Sequence, residues 1–315
     1  MFLNYVYLKK TYKVFSLIVC LIFQFFFTAV LITDAQAVTS AKSKVIYINS
    51  YHRGYSWSDN IEKGLRSTLA KSSDDIELSV EFLDTRRFPD LKYLNTIAQT
   101  MKVKYSKYKP DLIIVSDNAA FNFVMKYQKE LFLEIPVVFC GYNSFTADVR
   151  KKYKNITGVN EELSISDTVK MAISTHPKTN TLAFVTSTRS ISSRRNNKVA
   201  EEMIFPELRK KYNVVVLKDK FLADLEKQFK QFPSDTLVFF IGQVADKGNG
   251  RDLSPKENAK LLSEISPFPV YAFWNFQLNQ GVLGGRIITG LEQGKTAGKM
   301  ALRVLSGTPI EQIPV

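Results

Sequence analysis

The chain has 315 residues, enough for two domains with a sizeable hydrophobic core. Its formal net charge is +13, but the basic residues are scattered in short pairs, and no basic helix carries interleaved aromatic residues. A solvated basic surface therefore explains the charge better than binding to nucleic acid does, and we expect no nucleic-acid partner. The only cysteines are Cys20 and Cys140.

The first 37 residues predict an export signal. Lysines at positions 9, 10 and 13 precede a continuous apolar run over residues 14–32, and Ala35-Gln36-Ala37 follows in the form that signal peptidase accepts. The alternative is an uncleaved membrane anchor, because the apolar run approaches the roughly 20 residues that span a bilayer. In either case we expect the rest of the chain to be exported, to the periplasm or the cell surface. Removal of the signal leaves Cys140 without an intrachain disulfide partner, so the exported part must be held together by its core.

Short apolar runs then alternate with longer helical patterns as far as residue 143. The first predicted strand, Val45–Ile48, leads through a polar and aromatic loop into a helix that we expect Ser58 or Asp59 to cap. The other elements of this half are predicted strands over 77–82, 112–115 and 137–139 and predicted helices over 92–108 and from 118 to about 126. Strands and helices in alternation indicate a parallel sheet covered on both faces.

The same alternation restarts at residue 163. It predicts helices over 163–175, about 194–212, 222–232 and 255–265, and strands over 182–186, 214–217, 237–241 and 270–272. We interpret 145–159 and 281–288 as crossings between two lobes. The expected organisation is a first lobe of residues 44–143 plus about 282–310, and a second lobe of about 144–281, with a hinge and a cleft between them.

Candidate ligand-binding residues follow the predicted strands, because the carboxyl ends of parallel strands face the ligand crevice. In the first lobe they are Ser50, Tyr51, His52, Tyr55, Trp57, Asp117, Asn118, Gly141 and Tyr142; in the second they are Thr186, Ser187, Gln243, Trp274 and Asn275. Aromatic rings gain most from burial and can stack on a small molecule, and Asp117 or Asn118 can meet an amino or hydroxyl group. The alternative roles are a packed loop, a helix cap at Asp117 or its neighbour Ser116, and core packing for Trp274.

Three arginines and two histidines complete the set of residues with possible chemical roles. Arg189, Arg194 and Arg195 could clamp a carboxylate or phosphate, or lie on a solvated surface. The two histidines are His52 and His176, and no nucleophile elbow, HExxH, CxxC, P-loop or GxGxxG motif is present. We therefore expect a protein that is not an enzyme and has no metal or cofactor. A hydrolase would require His52 beside a serine and a carboxylate.

Several segments resemble a known family. They are Asn49-Ser50-Tyr51-His52, Trp57, Gly64, Phe82–Phe88, Lys109–Asp111, Ser116–Phe121, Pro136–Gly141, Gly281–Gly285, Gln293-Gly294 and Leu302–Gly307. This set is similar to the ABC-transporter substrate-binding-protein-like family, and in particular to the branch used as extracytoplasmic sensor modules of bacterial histidine kinases and diguanylate cyclases.

The resemblance implies a type I periplasmic-binding-protein fold, with two Rossmann-like lobes that close on a ligand. It implies a solute-binding protein that serves an ABC permease or, alternatively, a ligand-sensing module of a signalling receptor. We expect an amino-acid-like or aromatic solute. Two features depart from the family: the three arginines in loop 187–197, where a smaller loop is usual, and the end at Val315, where such modules usually continue. The second departure leaves two expectations, a stand-alone binder with a shortened end and a fragment of a receptor.

Overall fold

A computed structural model describes residues 42–73, 75–244 and 253–315. The predicted signal or anchor at residues 1–37 lies outside these ranges. None of the helices within them combines the length and apolarity that a membrane crossing requires.

The first sheet has five parallel strands in the order β2-β1-β3-β4-β5. They are β1 (Ser43–Asn49), β2 (Ile76–Phe82), β3 (Leu112–Ser116), β4 (Val137–Tyr142) and β5 (Ile156–Asn160). The helices between them are α1 (Ser56–Leu69), α2 (Leu91–Lys104), α3 (Asp117–Leu131) and α4 (Ala147–Lys152).

Both faces of this sheet are covered, which is why the middle of each central strand is a continuous apolar run. Side chains alternate along β1, so Ile46 and Ile48 join one core cluster while Val45 and Tyr47 join the cluster on the opposite face. All four side chains are fully buried.

A late helix, α10 (Gly290–Leu305), returns to the first sheet and packs directly against α1. The contact depends on glycines in both helices. A Cβ atom at Gly64 would lie 2.8 Å from the backbone nitrogen of Lys295, and one at Gly294 would lie 2.9 Å from the carbonyl carbon of Ile61. The two backbones therefore touch where no side chain separates them.

The second sheet has four parallel strands in the order β7-β6-β8-β9. They are β6 (Thr181–Thr186), β7 (Asn213–Lys218), β8 (Thr236–Phe240) and β9 (Val270–Tyr271). The helices of this part are α5 (Ile165–Thr175), α6 (Ile191–Val199), a π-helical segment Ala200–Ile204, α7 (Phe205–Leu208), α8 (Leu222–Phe229) and α9 (Pro255–Ile265). Two 3-10 turns lie at Asn275–Gln277 and Ile310–Gln312. The two sheets confirm the predicted α/β class with parallel sheets in two lobes.

The structure differs from the expected boundaries at three places. The first sheet extends past residue 143, because 156–160 pairs with β4 as a fifth strand rather than only crossing between the lobes. Helix α1 begins at Ser56 with Tyr55 at the N-cap position, so Ser58 and Asp59 lie inside the helix; Ser58 donates its hydroxyl hydrogen to Asn49 Oδ1 (2.9 Å). Segment 281–288 runs beside β9 through single bridges, Tyr271 to Gly284 and Trp274 to Ile288.

Candidate functional site

A cavity of about 690 Å³ lies between the carboxyl ends of the two sheets. Its lining comes from the loops after β1, β2, β3 and β5 of the first sheet and after β6, β8 and β9 of the second. This volume is within the range of small-molecule sites, and its position is where open parallel sheets bind ligands.

The first charged group in the cavity wall is Asp117, at the end of β3. Its Oδ1 accepts a hydrogen bond from Trp57 Nε1 (2.9 Å), and its Oδ2 is buried without a hydrogen-bond partner among the described residues. The backbone of Asp117 is left-handed (φ +66°), which an aspartate adopts at some cost in strain. Gly141 leaves room beside it, since a Cβ at that position would lie 3.1 Å from Oδ1.

Burial raises the pKa of Asp117 well above its ordinary value. The charge of Glu161 raises this pKa further, whereas the hydrogen bonds from Trp57 and Ser116 lower it. Asp117 is only 4% exposed, so its charged form has little access to water.

The second charged group is Glu161, directly after β5. Its Oε1 accepts a hydrogen bond from Trp274 Nε1 (2.9 Å), and the residue is 7% exposed. Burial raises the pKa of Glu161 from 4.5 to about 7, against the opposing effect of the Trp274 hydrogen bond. Trp274 also packs against core clusters of both sheets, so this hydrogen bond lies where the two lobes meet.

Aromatic rings form much of the wall around the two carboxylates. Trp274 stacks on Phe276 (centroids 5.9 Å apart, 13° between planes), and Trp57 meets Phe276 edge-on at 6.2 Å. Tyr51 and Tyr55 form an edge-on pair at 5.1 Å. Burial raises the pKa of Tyr51 well above its ordinary value and that of Tyr55 to about 12, so both phenols are neutral at physiological pH.

Cationic side chains line other parts of the same cavity. Arg86 lies 5.1 Å from the Tyr55 ring centroid, and Lys126, Arg189 and Arg194 also contribute to the lining. Arg194 Nη1 donates to the carbonyl oxygen of Thr188 (2.8 Å), which holds this loop in place. Two of the three arginines singled out in loop 187–197 thus reach the cleft, while Arg195 is not part of its lining.

The structure brings together half of the predicted ligand-binding residues. Those that line the cavity are Tyr51, Tyr55, Trp57, Asp117, Asn118, Gln243 and Trp274. Those that are not part of its lining are Ser50, His52, Gly141, Tyr142, Thr186, Ser187 and Asn275.

Most of the residues outside the lining have structural contacts that explain their placement. Ser50 accepts from the backbone nitrogen of Ala120 (2.7 Å) and donates to the carbonyl oxygen of Ser116 (2.6 Å), so it provides a cap contact for α3 that Ser116 itself does not make. Tyr142 stacks on Phe121 with 4.1 Å between centroids, because a register shift in β4 between Phe139 and Tyr142 places this ring in the same core cluster as Phe139.

The backbone nitrogen of Gly141 donates to Gln293 Oε1 (2.8 Å), and Ser187 Oγ donates to Asp219 Oδ1 (3.2 Å). Thr186 is buried at the end of β6. Asn275 begins a 3-10 turn, and its backbone nitrogen donates to the carbonyl oxygen of Ile288 (3.1 Å).

His52 lies next to the Tyr55 ring, with 5.9 Å between centroids. Its Nδ1 is buried without a hydrogen-bond partner among the described residues, so no serine or carboxylate in that part of the chain activates it. Within the same residues, no three His, Cys, Asp or Glu side chains are grouped as a metal site.

Sequence reasoning missed Glu161, Arg86 and Phe276. Glu161 follows the segment Ile156–Val159, whose β-branched residues indicate a strand. From the sequence we interpret this segment only as a crossing between the lobes. Arg86 lies within the segment 82–88 that carries the family resemblance, and Phe276 lies two residues beyond Trp274.

Two α/β lobes with a ligand-sized cleft at the strand ends are the architecture of type I periplasmic binding proteins. Three solved structures share it. A ligand-free substrate-binding protein with adhesive properties from Clostridium difficile aligns with a TM-score of 0.61 at 16% identity, over 87% of this chain and 88% of that one. An ABC domain from Streptococcus pneumonia in complex with L-Trp aligns with a TM-score of 0.60 at 17% identity, with the same coverage. A periplasmic ribose ABC transporter protein from Conexibacter woesei aligns with a TM-score of 0.57 at 16% identity, over 88% of this chain and 91% of that one.

A family profile described as ABC transporter substrate binding protein matches residues 58–315. The chain therefore belongs to the ABC transporter substrate-binding protein family, whose members bind small-molecule solutes. No curated protein sequence matches it.

Proposed function

We propose that this protein is an exported solute-binding protein that holds an aromatic, amino-acid-like solute in the cleft and delivers it to an ABC permease. The observation that carries the ligand class is the Asp117 carboxylate, which belongs to the cavity lining and whose Oδ2 is buried without a partner among the described residues. A buried acceptor of this kind is costly unless a donor meets it, and an ammonium group supplies both N–H donors and a positive charge.

The surrounding wall supports the same ligand. The faces and edges of Trp57, Trp274 and Phe276 offer stacking surface for an aromatic ring, and aromatic faces also attract a cation. Arg189 and Arg194 line the second-lobe side, where a guanidinium can bind a ligand carboxylate. An amine, an aromatic ring and a carboxylate are the three parts of an aromatic amino acid, and the structural relative from Streptococcus pneumonia was solved with L-Trp.

Isothermal titration calorimetry with a matched set of probes tests the ligand class. L-tryptophan and tryptamine carry the amine, 3-indolepropionate lacks it, and ribose represents the sugar alternative. We expect the two amines to bind and 3-indolepropionate to bind at least about tenfold more weakly than L-tryptophan, which is the scale of a lost charge-assisted hydrogen bond. Binding of ribose in preference to both amines would overturn the assignment.

Two variants distinguish the effect of the Asp117 carboxylate on binding from the effect of a change in net charge. Asp117→Asn removes the cavity carboxylate and should weaken tryptamine at least about tenfold. Asp148→Asn removes an acidic group whose side chain is 92% exposed and lies outside the cavity lining, and it should leave binding unchanged. Equal losses in both variants would contradict the proposed role of Asp117.

The resemblance to sensor modules gives the second role for the same cleft, because both roles use closure of two lobes on a solute. Ligand uptake in cells with and without the gene distinguishes them. A transport protein is required for uptake at low solute concentration, whereas a sensor changes the response to the solute and leaves uptake intact.

A further inference from the structure

Asp117 and Glu161 form a pair on one side of the cleft. Asp117 follows β3 and Glu161 follows β5, the two neighbours of β4 in the first sheet. At this end of β4 stands Gly141, which has no side chain to place between the two loops. Both carboxylates line the cavity, and the charge of Glu161 raises the pKa of Asp117, so the two interact electrostatically.

Each carboxylate accepts a hydrogen bond from a tryptophan, and neither has a cationic partner among the described residues. Trp57 donates to Asp117 and Trp274 donates to Glu161, both at 2.9 Å. Among the described residues no lysine, arginine or histidine forms an ion pair with either carboxylate. Two buried negative charges that no cation pairs with are unstable, and such a pair retains a proton that exposed carboxylates would lose.

We propose that solute binding in this cleft is proton-coupled: the protonated amine of the ligand takes the place of a proton on the Asp117–Glu161 pair, so that a solute held at neutral pH is released as the pH falls. This inference depends on the proposed function, since it takes the amine of the ligand as the occupant. The only bond that breaks is the O–H bond of the carboxylic acid: its proton goes to solvent, and the resulting carboxylate pairs with the ammonium group.

The other titratable groups near the pair do not provide an equivalent exchange. Burial raises the pKa of Tyr51, Tyr55 and Cys140, so these three stay neutral between pH 5 and 8. The cationic groups of the cavity lining are Arg86, Lys126, Arg189 and Arg194, and none of them forms an ion pair with Asp117 or Glu161. His52 lies beside the Tyr55 ring, so a variant of this residue serves as a control.

The protein carries its own optical reporter for this pair. Trp57 and Trp274 are the only tryptophans in the sequence, and each donates to one of the two carboxylates. Indole emission responds to charge beside the ring. In protein without added solute, intrinsic fluorescence should therefore change between pH 5 and 9, with a midpoint near pH 7.

Two isosteric variants identify the group that titrates. Glu161→Gln keeps an oxygen acceptor for Trp274 and should remove this transition or move its midpoint by more than one pH unit. Glu162→Gln changes the adjacent exposed residue in the same way, and His52→Gln removes the nearby imidazole; both should keep the transition. Constant emission from pH 5 to 9 in the wild type would overturn the proposal. So would a transition that keeps its midpoint in Glu161→Gln or disappears in His52→Gln.

Calorimetry with tryptamine, a probe that carries the amine alone, measures the exchange itself. With the pKa of about 7 that burial gives Glu161, linkage predicts an affinity about 25-fold weaker at pH 5.5 than at pH 7.5. At pH 6, titrations in buffers of different ionisation enthalpy should show close to one proton released per ligand. Affinity that is the same at both pH values would overturn proton coupling and leave the proposed function standing. Failure of every amine probe to bind at any pH would overturn the ligand class instead, and the fluorescence titration would still decide whether the pair holds a proton.

Discussion

Replacement of Glu161 by glutamine should stabilise the protein at alkaline pH. Glu161 is 7% exposed, and its pKa in the folded protein is about 7 against an ordinary value of 4.5. The folded state therefore binds more protons than the unfolded state between these two values, so the free energy of unfolding decreases as the pH rises from 4.5 to 7. Below pH 4.5 the residue is protonated in both states and this contribution vanishes.

The size of the effect follows from the difference in pKa. A difference of about 2.5 corresponds to about 3 kcal/mol of lost stability above pH 7, at 1.36 kcal/mol for each pKa unit. Glutamine is neutral at all pH values and still accepts the Trp274 hydrogen bond. The variant should thus gain up to about 3 kcal/mol at pH 8 and lie close to the wild type at pH 4.5.

Urea unfolding followed by far-ultraviolet circular dichroism at pH 4.5 and pH 8 measures this difference. Glu162→Gln serves as the matched control, because the same change one residue later affects an exposed side chain. The reasoning would be refuted if Glu161→Gln were less stable than the wild type at pH 8. An equal gain at both pH values would also contradict it, since the effect would then not arise from a buried charge.

Two further variants test the packing and the limits of the site. Gly294→Ala should lower the free energy of unfolding by about 2 kcal/mol or more, because its Cβ would contact the backbone of Ile61. Gly307→Ala serves as a comparison: no atom lies within 4 Å of its Cβ, although its backbone is left-handed (φ +89°). Denaturant titration should show the larger loss for Gly294→Ala, and a smaller one would contradict the close helix contact. Tyr142→Phe should leave the tryptamine affinity within about twofold of the wild type, because this ring stacks on Phe121 and is not part of the cavity lining; a tenfold loss in calorimetry would show that its hydroxyl contributes to the site.

The fold was predictable because its central strands carry local signals. Buried parallel strands are continuous apolar runs, and Leu112–Val115 and Val137–Phe139 are read as strands without any knowledge of their partners. The fifth strand of the first sheet was not identified, because Ile156–Asn160 is short and contains a glycine and a threonine. Its strand conformation depends on pairing with β4, which is a tertiary contact.

The site was predictable to the extent that strand ends determine it. Trp57, Asp117 and Trp274 were singled out because each follows a predicted strand, and all three line the cavity. Ser50 and Tyr142 also follow predicted strands, but Ser50 makes hydrogen bonds at the start of α3 and Tyr142 packs in the core. Strict alternation would place Tyr142 on the face of Cys140, but a register shift in β4 between Phe139 and Tyr142 turns this ring to the face of Phe139, into the core and away from the cleft.

The sequence by itself determined the alternation of apolar strands and amphipathic helices, the family resemblance and the aromatic loop after β1. Only the tertiary structure decided that Asp117 and Glu161, 44 positions apart in the sequence, line one cavity, each with a tryptophan as donor. The physical reason is that strand and helix formation depend on neighbouring residues, whereas the proximity of two buried charges depends on the order in which strands pair. That order places β3 and β5 on either side of β4.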